Sequence, residues 1–530
     1  MSGPFSPAIN ASGLSALRAF ISDRQSLPIA RGIEKEGLRV TPSLDIAQSD
    51  HPEALGHPLT HPMITTDYSE ALLELITPVE PDRESLMKDL SGVHHFVQHH
   101  IGDELLWAAS MPCRLEGDAS IRIAGYGNSN IGQLKHVYRQ GLGVRYGRVM
   151  QSIAGLHYNF SLDDGFWETL RALEGTDSTV SLQDYKSERY FALIRNFRRH
   201  AWLLMYLFGA SPVLDESFVA GRSHSLATFD DKGSLYKPDA SSLRMGDLGY
   251  HNNAQASLAI CFNTLQNFTQ TLGNAIHTSY PAYEKIGIKQ NGQFIQLNTN
   301  ILQIENEYYS SIRPKRTTRS GEKPTEALID RGVEYIEVRC LDLNPFMPYG
   351  ISESQIDFLD TFLIHCLLTD SPFIPDSECR TIDDNFTRSV NEGRKPGLML
   401  SGPDASIALQ DWGKQLIDSM LPIAEALDSH NPDQRYAHAL EYELEKLRDS
   451  ERTPSAQILR LMHEQSDSWL SFAGNLSRAH KKASEDVDPA QMTDIEKMYQ
   501  EVAKKSIDEA HEIERQDTEP FASFLSNYLR

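Results

Sequence analysis

Cysteine is scarce in this chain of 530 residues, and its placement argues against disulfide bonds and thiolate metal sites. The five cysteines are Cys113, Cys261, Cys340, Cys366 and Cys379. They are odd in number, far apart in sequence and never in a C-x-x-C pair. Disulfide frameworks and thiolate zinc sites need more regular spacings, so neither is indicated. We expect reduced thiols that are mostly buried.

Long apolar runs are also missing. The longest run, Trp202 to Phe208, is far shorter than the ~20 residues of a membrane-spanning helix. Residues 1–10 lack the basic start and the apolar stretch of a signal peptide. These observations predict a cytoplasmic protein without a membrane partner.

Positive charge is under-represented, with 50 Lys and Arg against 73 Asp and Glu, which gives a net charge of −23. Such a surface repels a phosphate backbone, so nucleic acid is not expected as a partner. A phosphate ligand would need a local basic cluster or metal ions. With 40% hydrophobic residues, the chain can still bury a large core.

The common phosphate-binding motifs are absent, because neither G-x-x-x-x-G-K-[ST] nor G-x-G-x-x-G occurs. The densest basic segment covers residues 313–321, and its proline and glycine predict a loop. Its candidate nucleotide-binding residues are Arg313, Lys315, Arg316 and Arg319. Beside a metal site such a loop could hold polyphosphate, but as an isolated feature it is equally typical of a plain surface loop.

Patterns of alternation predict a mixed fold. Residues 14–30 are typical of a helix, whereas 31–40, 153–161 and 333–340 alternate like strands. Residues 65–78 indicate a turn followed by a strand that ends at the proline. From about residue 403 helix signals dominate, including Thr493 with Glu496 as a capping box. We therefore predict an α+β fold, with a catalytic core in residues 1–402 and a helical extension in 403–530.

Acidic side chains on the predicted strands are the most informative feature, namely Glu34, Glu36, Asp67, Glu74 and Glu337. If the strands converge, carboxylates ~4 Å apart repel by about 4 kcal/mol at an effective dielectric of ~20. A cation must then lie among them, and oxygen ligands suit Mg²⁺ or Mn²⁺. The alternative is a solvated strand face. His157 could join as a ligand or be a core histidine.

Nine segments carry a resemblance to a known family. They are GIEKEGLRV (32–40), ITTDYSEALLELITP (64–78), YGNSN (126–130), YRQGLGVRYGRVMQSIAGLHYNFS (138–161), LFGASP (207–212), SSLRMGDLGY (241–250), LQIENEYYSSIRPKRTTRSGE (302–322), YIEVRCLDLNPF (335–346) and GRKPGL (393–398). In order and content this series resembles the glutamate–cysteine ligase family of the proteobacterial type. From about residue 403 the likeness is faint, so it carries no function to the tail.

The resemblance implies a curved antiparallel sheet related to that of glutamine synthetase, surrounded by helices. It implies three Mg²⁺ sites on Glu34, Glu36, Asp67, Glu74, His157 and Glu337. It further implies a catalytic group of Arg339, Glu74 and Glu337, in which Arg339 contacts the transferring phosphoryl group. The implied cysteine pocket consists of Tyr68, Tyr138, Leu142, Gln151, Arg244, Tyr250 and Tyr309. Tyr68 departs from the family pattern, where phenylalanine is expected.

The implied reaction joins the γ-carboxyl of L-glutamate to the amine of L-cysteine through a γ-glutamyl phosphate, with ATP as phosphoryl donor. Feedback inhibition by glutathione and a monomeric state are both left open. The alternatives are a related carboxylate–amine ligase or guanidino kinase with a different acceptor, a metal-dependent hydrolase, and a non-catalytic acidic binding protein. One-to-one coupling of ATP consumption to amide formation separates the ligase from the hydrolase.

Overall fold

The computed structural model describes residues 8–177, 179–248, 258, 260–319, 321–486 and 488–529. In chain order the strands are β1 Ile29–Val40, β2 Ile64–Thr66, β3 Leu72–Ile76, β4 Leu105–Leu106, β5 Leu156–Leu162, β6 Val213–Asp215, β7 Ala227–Thr228, β8 Ser234–Tyr236, β9 Lys289–Gln290, β10 Gln293–Phe294, β11 Ile312–Lys315, β12 Tyr335–Leu341, β13 Met399–Ser401 and β14 Ser406–Ala408. The α-helices span Ala11–Arg24, Arg83–His100, Asn130–Tyr146, Asp164–Glu174, Leu182–Phe208, Leu265–His277, Pro281–Ile286, Pro324–Arg331, Glu353–Leu368, Asp376–Glu392, Leu409–Leu427, Arg435–Arg448, Pro454–Gln465, Trp469–Glu485, Pro489–Gln516 and Phe521–Tyr528.

The central element is an antiparallel sheet, in which seven of the described strands take part. Its order is β11–β12–β5–β1–β3–β2, and β4 pairs with the far end of β1. β1 lies in the middle and pairs with β5 on one side and β3 on the other. Residues from distant parts of the sequence therefore meet around β1.

The two faces of the sheet differ in chemistry because side chains alternate along each strand. Ile33, Tyr158 and Phe160 belong to the main apolar core and are fully buried. Their neighbours in sequence, such as Glu34 and His157, project from the opposite, polar face. One face thus supplies packing energy, and the other is left to carry charged groups.

Helices cover the apolar face. Leu182–Phe208 and Glu353–Leu368 are buried along most of their length and pack against each other. Each begins at a serine whose side-chain oxygen accepts a backbone N–H, Ser181 for the first and Ser352 for the second. These two helices support the sheet on its apolar face and leave its polar face accessible.

The α+β class, the antiparallel sheet and the helical C-terminal part are confirmed. Helices occupy most of 409–528, and among the described residues none is long and apolar enough to cross a membrane. The expected boundary at 402/403 falls in the turn between β13 and β14, so the division into core and extension stays a prediction.

Three local predictions were wrong. The helix expected for 14–30 ends at Arg24, and β1 already begins at Ile29. Residues 313–315 of the basic segment belong to β11 instead of a loop, because β12 offers an edge for pairing. The expected capping box at Thr493 lies inside a helix that begins at Pro489, where Asp488 is the N-cap residue.

Candidate active site

A cavity of about 680 Å³ lies on the polar face of the sheet. Its floor is formed by β1, β3, β5, β11 and β12, and one wall is the helix Asn130–Tyr146. The segment 280–309 lies along a second wall. Fifteen of the residues expected from the sequence line this one cavity, namely Glu34, Glu36, Asp67, Tyr68, Glu74, Tyr138, Leu142, Gln151, His157, Arg244, Tyr309, Arg313, Lys315, Glu337 and Arg339.

The strand register explains how the acidic residues converge. Glu34 is paired directly with His157 across β1 and β5, and Glu36 is paired with Glu74 across β1 and β3. Glu337 of β12 faces Asn159 of β5. Directly paired residues project on the same side of a sheet, so these groups share one surface.

The first group of potential metal ligands consists of Glu34, His157 and Glu337. His157 Nδ1 lies 3.3 Å from Glu34 Oε2 and 3.6 Å from Glu337 Oε1. Asn159 Nδ2 donates to Glu34 Oε1 at 2.9 Å. Asn159 Oδ1 is a buried acceptor without a hydrogen-bond donor among the described residues, and Glu337 Oε2 makes no hydrogen bond there beyond its ion pair with Lys315 Nζ. Unsatisfied oxygens at this point fit a bound cation.

The second group consists of Glu36, Glu74 and His157, whose ligand atoms lie within 4.8 Å of one another. His157 Nε2 is 3.6 Å from Glu36 Oε1, so this imidazole belongs to both groups. Glu36 Oε2 accepts the backbone N–H of Gly155 at 2.5 Å. Carboxylates with one shared imidazole form a donor set for Mg²⁺ or Mn²⁺, and the absence of thiolates disfavours softer metals.

The two groups differ in electrostatic compensation. Burial raises the pKa of Glu337, but Arg339 and Lys315 outweigh burial and leave that pKa well below its usual value. Burial raises the pKa of Glu36, and Asp67 raises it further. The pKa of Glu74 is raised well above normal by burial and then by neighbouring carboxylates. The Glu36–Glu74 side of the cavity is therefore short of positive charge, which a divalent cation would supply.

Basic side chains border the first group. Arg339 Nη1 donates to Glu337 Oε1 at 3.0 Å, and Lys315 Nζ lies 3.4 Å from Glu337 Oε2. Burial lowers the pKa of Arg339, but Glu337 and Glu36 outweigh it and raise this pKa, so the guanidinium stays charged. Its Nε is buried with no acceptor among the described residues. Arg313, paired with Glu337 across β11 and β12, has its pKa lowered to about 10 by burial and by Arg339.

The part of the cavity lining around Arg244, Tyr309 and Tyr68 has more aromatic groups than the part formed by the acidic strand residues. Arg244 Nη2 donates to the carbonyl of Arg339 at 3.0 Å, and Arg244 Nη1 is 3.6 Å from Asp342. Tyr309 donates its hydroxyl to Met245 Sδ at 2.9 Å. Tyr68 is fully buried, and its hydroxyl has no partner among the described residues. These groups can hold a small polar molecule beside the charged cluster.

Comparison with known proteins decides the family. The sequence model of glutamate–cysteine ligase matches residues 18–389. A glutamate–cysteine ligase of Pseudomonas paraeruginosa is 49% identical over 519 residues, which is 97% of each chain. The chain belongs to the glutamate–cysteine ligase family. A family member from Hahella chejuensis is 50% identical over 508 residues, with 94% of this chain and 95% of the relative covered.

Solved structures agree with this membership. A crystal structure of glutamate–cysteine ligase from Francisella tularensis in complex with AMP matches with a TM-score of 0.87 at 36% identity, over 95% of this chain and 98% of that one. A bifunctional glutathione synthetase from Pasteurella multocida matches with a TM-score of 0.69 at 25% identity, over 88% of this chain and 55% of that one.

Three residues expected from the sequence are not among the described cavity residues. Tyr250 lies outside the described residues. Arg316 donates to the carbonyl of Gly332 at 2.8 Å and to Gln183 Oε1 at 2.9 Å, so its guanidinium supports the loop after β11. Arg319 is exposed. A nucleotide-binding role for Arg316 and Arg319 stays a prediction.

Sequence reasoning missed a second group of cavity residues in this ligase. Arg139, Arg145, Tyr146 and Glu307 all line the cavity. Arg145 Nη1 donates to Glu307 Oε1 at 2.9 Å, and both side chains are fully buried. Helical spacing from Leu142 would have predicted Arg145 and Tyr146, which are three and four residues further along the same face. Glu307 carried no local signal.

Proposed function

We propose that this cavity is where the chain joins the γ-carboxyl of L-glutamate to the amine of L-cysteine at the expense of ATP. The observation that supports this most strongly is the shared position of His157 between two groups of carboxylates, in one of which Glu337 forms an ion pair with Arg339. Carboxylates for metal binding, a buried arginine and a pocket for the acceptor amino acid are what ATP-dependent amide formation requires. The family membership supports the same reaction.

The metal sites would use Glu34, His157 and Glu337 for one cation and Glu36, Glu74 and His157 for another, with Asp67 beside the second. Mg²⁺, with Mn²⁺ as a substitute, would supply neutralisation of phosphate charge and orientation of the phosphoryl oxygens. The second group should need a cation more than the first, because Arg339 and Lys315 already balance the charge of Glu337 in the first group.

Phosphoryl transfer needs positioning and charge stabilisation more than covalent help from the protein. A carboxylate is a poor acylating agent, so the γ-carboxylate of glutamate attacks the γ-phosphorus of ATP and displaces ADP. Arg339 stabilises charge on the transferring group through its guanidinium, whose Nε has no acceptor among the described residues. Lys315 and Arg313 border the same point and balance the remaining phosphate charge.

The amine of cysteine then attacks the acyl carbon, and inorganic phosphate leaves. Tyr138, Leu142, Gln151, Arg244 and Tyr309 would hold cysteine, with Tyr68 and Tyr250 as further members of the pocket. Arg244 is the group suited to the α-carboxylate, because a guanidinium can hold a carboxylate through two hydrogen bonds. The rotatable side chain of cysteine would point toward the aromatic wall.

Three further proposals concern the whole protein. Glutathione contains the γ-glutamylcysteine unit and would compete for the same cavity, so feedback inhibition by glutathione is proposed. This chain contains both groups of potential metal ligands and Arg339, and a monomer is the proposed active form. ATP as donor and an acceptor amino acid that carries a free thiol suit the reducing conditions of the cytoplasm, which is the proposed location.

The decisive experiment combines specificity with isotope transfer. ADP release is measured with Mg²⁺ and glutamate and each common amino acid in turn, and cysteine should stimulate it most. Glutamate labelled with ¹⁸O in the γ-carboxylate should pass one labelled oxygen to inorganic phosphate. A different preferred acceptor would overturn the assignment of cysteine. Unlabelled phosphate would overturn the acyl phosphate and favour hydrolysis by water.

A further inference from the structure

The C-terminal helix Phe521–Tyr528 packs behind the wall of the cavity, although it contributes no lining residue. Leu525 is 4% exposed and shares one apolar cluster with Leu134, Val137 and Leu297. Leu134 and Val137 belong to the helix Asn130–Tyr146, and Tyr138 of the same helix packs against this cluster and also lines the cavity together with Leu142. Leu525 therefore supports the substrate wall from outside.

Polar contacts fix the segment that leads into this helix. Asp517 Oδ2 accepts the backbone N–H of Asn130 at 2.5 Å, and the carbonyl of Glu519 accepts Asn130 Nδ2 at 2.9 Å. Asn130 is the first residue of the wall helix, where backbone N–H groups lack intrahelical partners and a carboxylate is favourable. The C-terminal segment thus holds both the start and the outer face of that helix.

The same C-terminal helix also contacts the second wall. Phe521 packs edge-to-face on Phe294, with ring centroids 5.4 Å apart. Gln303 joins the two walls directly, because its Nε2 donates to the carbonyl of Tyr138 at 3.1 Å and its backbone N–H donates to Glu307 Oε2 at 2.6 Å. Leu525 lies in the cluster between these walls, together with Leu297.

We propose that Leu525 is a positioning residue that sets the separation of the two walls and thereby the affinity for the amine acceptor. This proposal rests on the proposed function, which places cysteine against Tyr138 and Leu142. Among the described residues, the cluster of Leu525 contains none of the charged groups on the sheet, which are held by strand pairing. Its loss should therefore affect binding of cysteine more than phosphoryl transfer.

The test compares Leu525→Ala, Leu525→Met and a matched control, Leu447→Ala. Leu447 is 5% exposed and packs in the main core, away from this cluster. In Leu525→Ala the KM for cysteine should rise about 5–10-fold, while kcat and the KM for ATP stay within about twofold, as expected for lost uniform binding. Leu525→Met should restore the KM for cysteine, because it keeps the volume.

Leu447→Ala should lower the melting temperature about as much as Leu525→Ala does, because each substitution leaves a void in an apolar cluster. It should not raise the KM for cysteine. An equal rise in KM in the control, or none in Leu525→Ala, would overturn the proposal. If Leu525→Ala does not fold, Phe521→Leu gives the same test, since it removes the edge contact with Phe294 and keeps apolar bulk. Wild-type protein without cysteine-stimulated ADP release would instead overturn the proposed function itself.

Discussion

Glu36 and Glu74 face each other from directly paired positions on β1 and β3, and burial raises the pKa of both carboxyl groups. The nearby arginines do not compensate this pair as Arg339 and Lys315 compensate Glu337. Two buried carboxylates held together cost free energy unless a cation joins them. The proposed second metal site thus carries negative charge that the protein itself does not neutralise.

Glu74→Gln should relieve this repulsion while it removes a ligand. Without divalent cations, the variant should melt at a higher temperature than the wild-type protein. Added Mg²⁺ should stabilise the wild-type protein more, and turnover of the variant should require more Mg²⁺ or be lost. Thermal melting with and without Mg²⁺, together with the Mg²⁺ dependence of ADP release, checks both parts.

Glu70→Gln is the matched control for that prediction. Glu70 accepts the backbone N–H groups of His51 and Gly125 and does not line the cavity. Its replacement should leave the Mg²⁺ dependence of turnover unchanged. The prediction for Glu74 is wrong if Mg²⁺ shifts the melting temperature of Glu74→Gln as far as that of the wild-type protein.

Gly155→Ala should displace Arg244 and weaken binding of the amine acceptor. A Cβ atom on Gly155 would lie 2.0 Å from Arg244 Nη2, so the guanidinium must move. We expect a rise of about tenfold or more in the KM for cysteine, as for misplaced binding groups in other enzymes. Gly273→Ala is the control, because a Cβ atom there meets nothing within 4 Å. Equal kinetics of the two variants would contradict the role of Arg244.

The strand alternation was sufficient to predict which residues share the polar face, because a period of two is a local property. Glu34 with Glu36, and Glu337 with Arg339, needed only their own strands. The register between strands is not local, so the pairing of Glu36 with Glu74 could not be derived. The Arg145–Glu307 pair joins residues 162 positions apart, and sequence reasoning could not find it.

The basic segment 313–321 shows how a local sequence preference can give a wrong prediction. Its proline favoured a loop, yet Pro314 lies in β11, where it pairs opposite Ile336 of β12. Proline is tolerated there because β11 is the edge of the sheet and its other side needs no donor. Tertiary position therefore decided the structure, and local propensity gave the wrong prediction.

Lys35→Met should stabilise the protein most at neutral and lower pH. Lys35 is buried on the apolar side of β1, and burial lowers its pKa to about 7. The unfolded chain binds this proton up to the ordinary pKa of 10.5, so the stability of the wild-type protein should rise as pH increases from about 7 toward 10.5. Methionine removes the charge and keeps the length of the side chain.

The gain from Lys35→Met should be on the order of a few kcal/mol at pH 7 or below and should shrink toward pH 10. Urea unfolding between about pH 6 and about pH 10 measures it. Lys446→Met is the control, since Lys446 lies 2.7 Å from the buried carboxylate of Glu443, and its loss should destabilise the protein. If the free energy of unfolding of Lys35→Met changed with pH as much as that of the wild-type protein, the lowered pKa assigned to Lys35 would be wrong.

Arg339→Lys tests whether a planar guanidinium is needed at the phosphoryl group. Lysine keeps the positive charge beside Glu337 but loses the fork that can hold two oxygens at once. We expect kcat to fall about 10²–10³-fold, with smaller changes in KM, as for loss of one preorganised transition-state donor. Arg199→Lys is the control, because Arg199 is buried and binds both oxygens of Glu378 far from the cavity. Arg199→Lys should lose stability and keep its kcat. A normal kcat in Arg339→Lys would show that Arg339 does not have the proposed role, but it would not contradict the acyl-phosphate route.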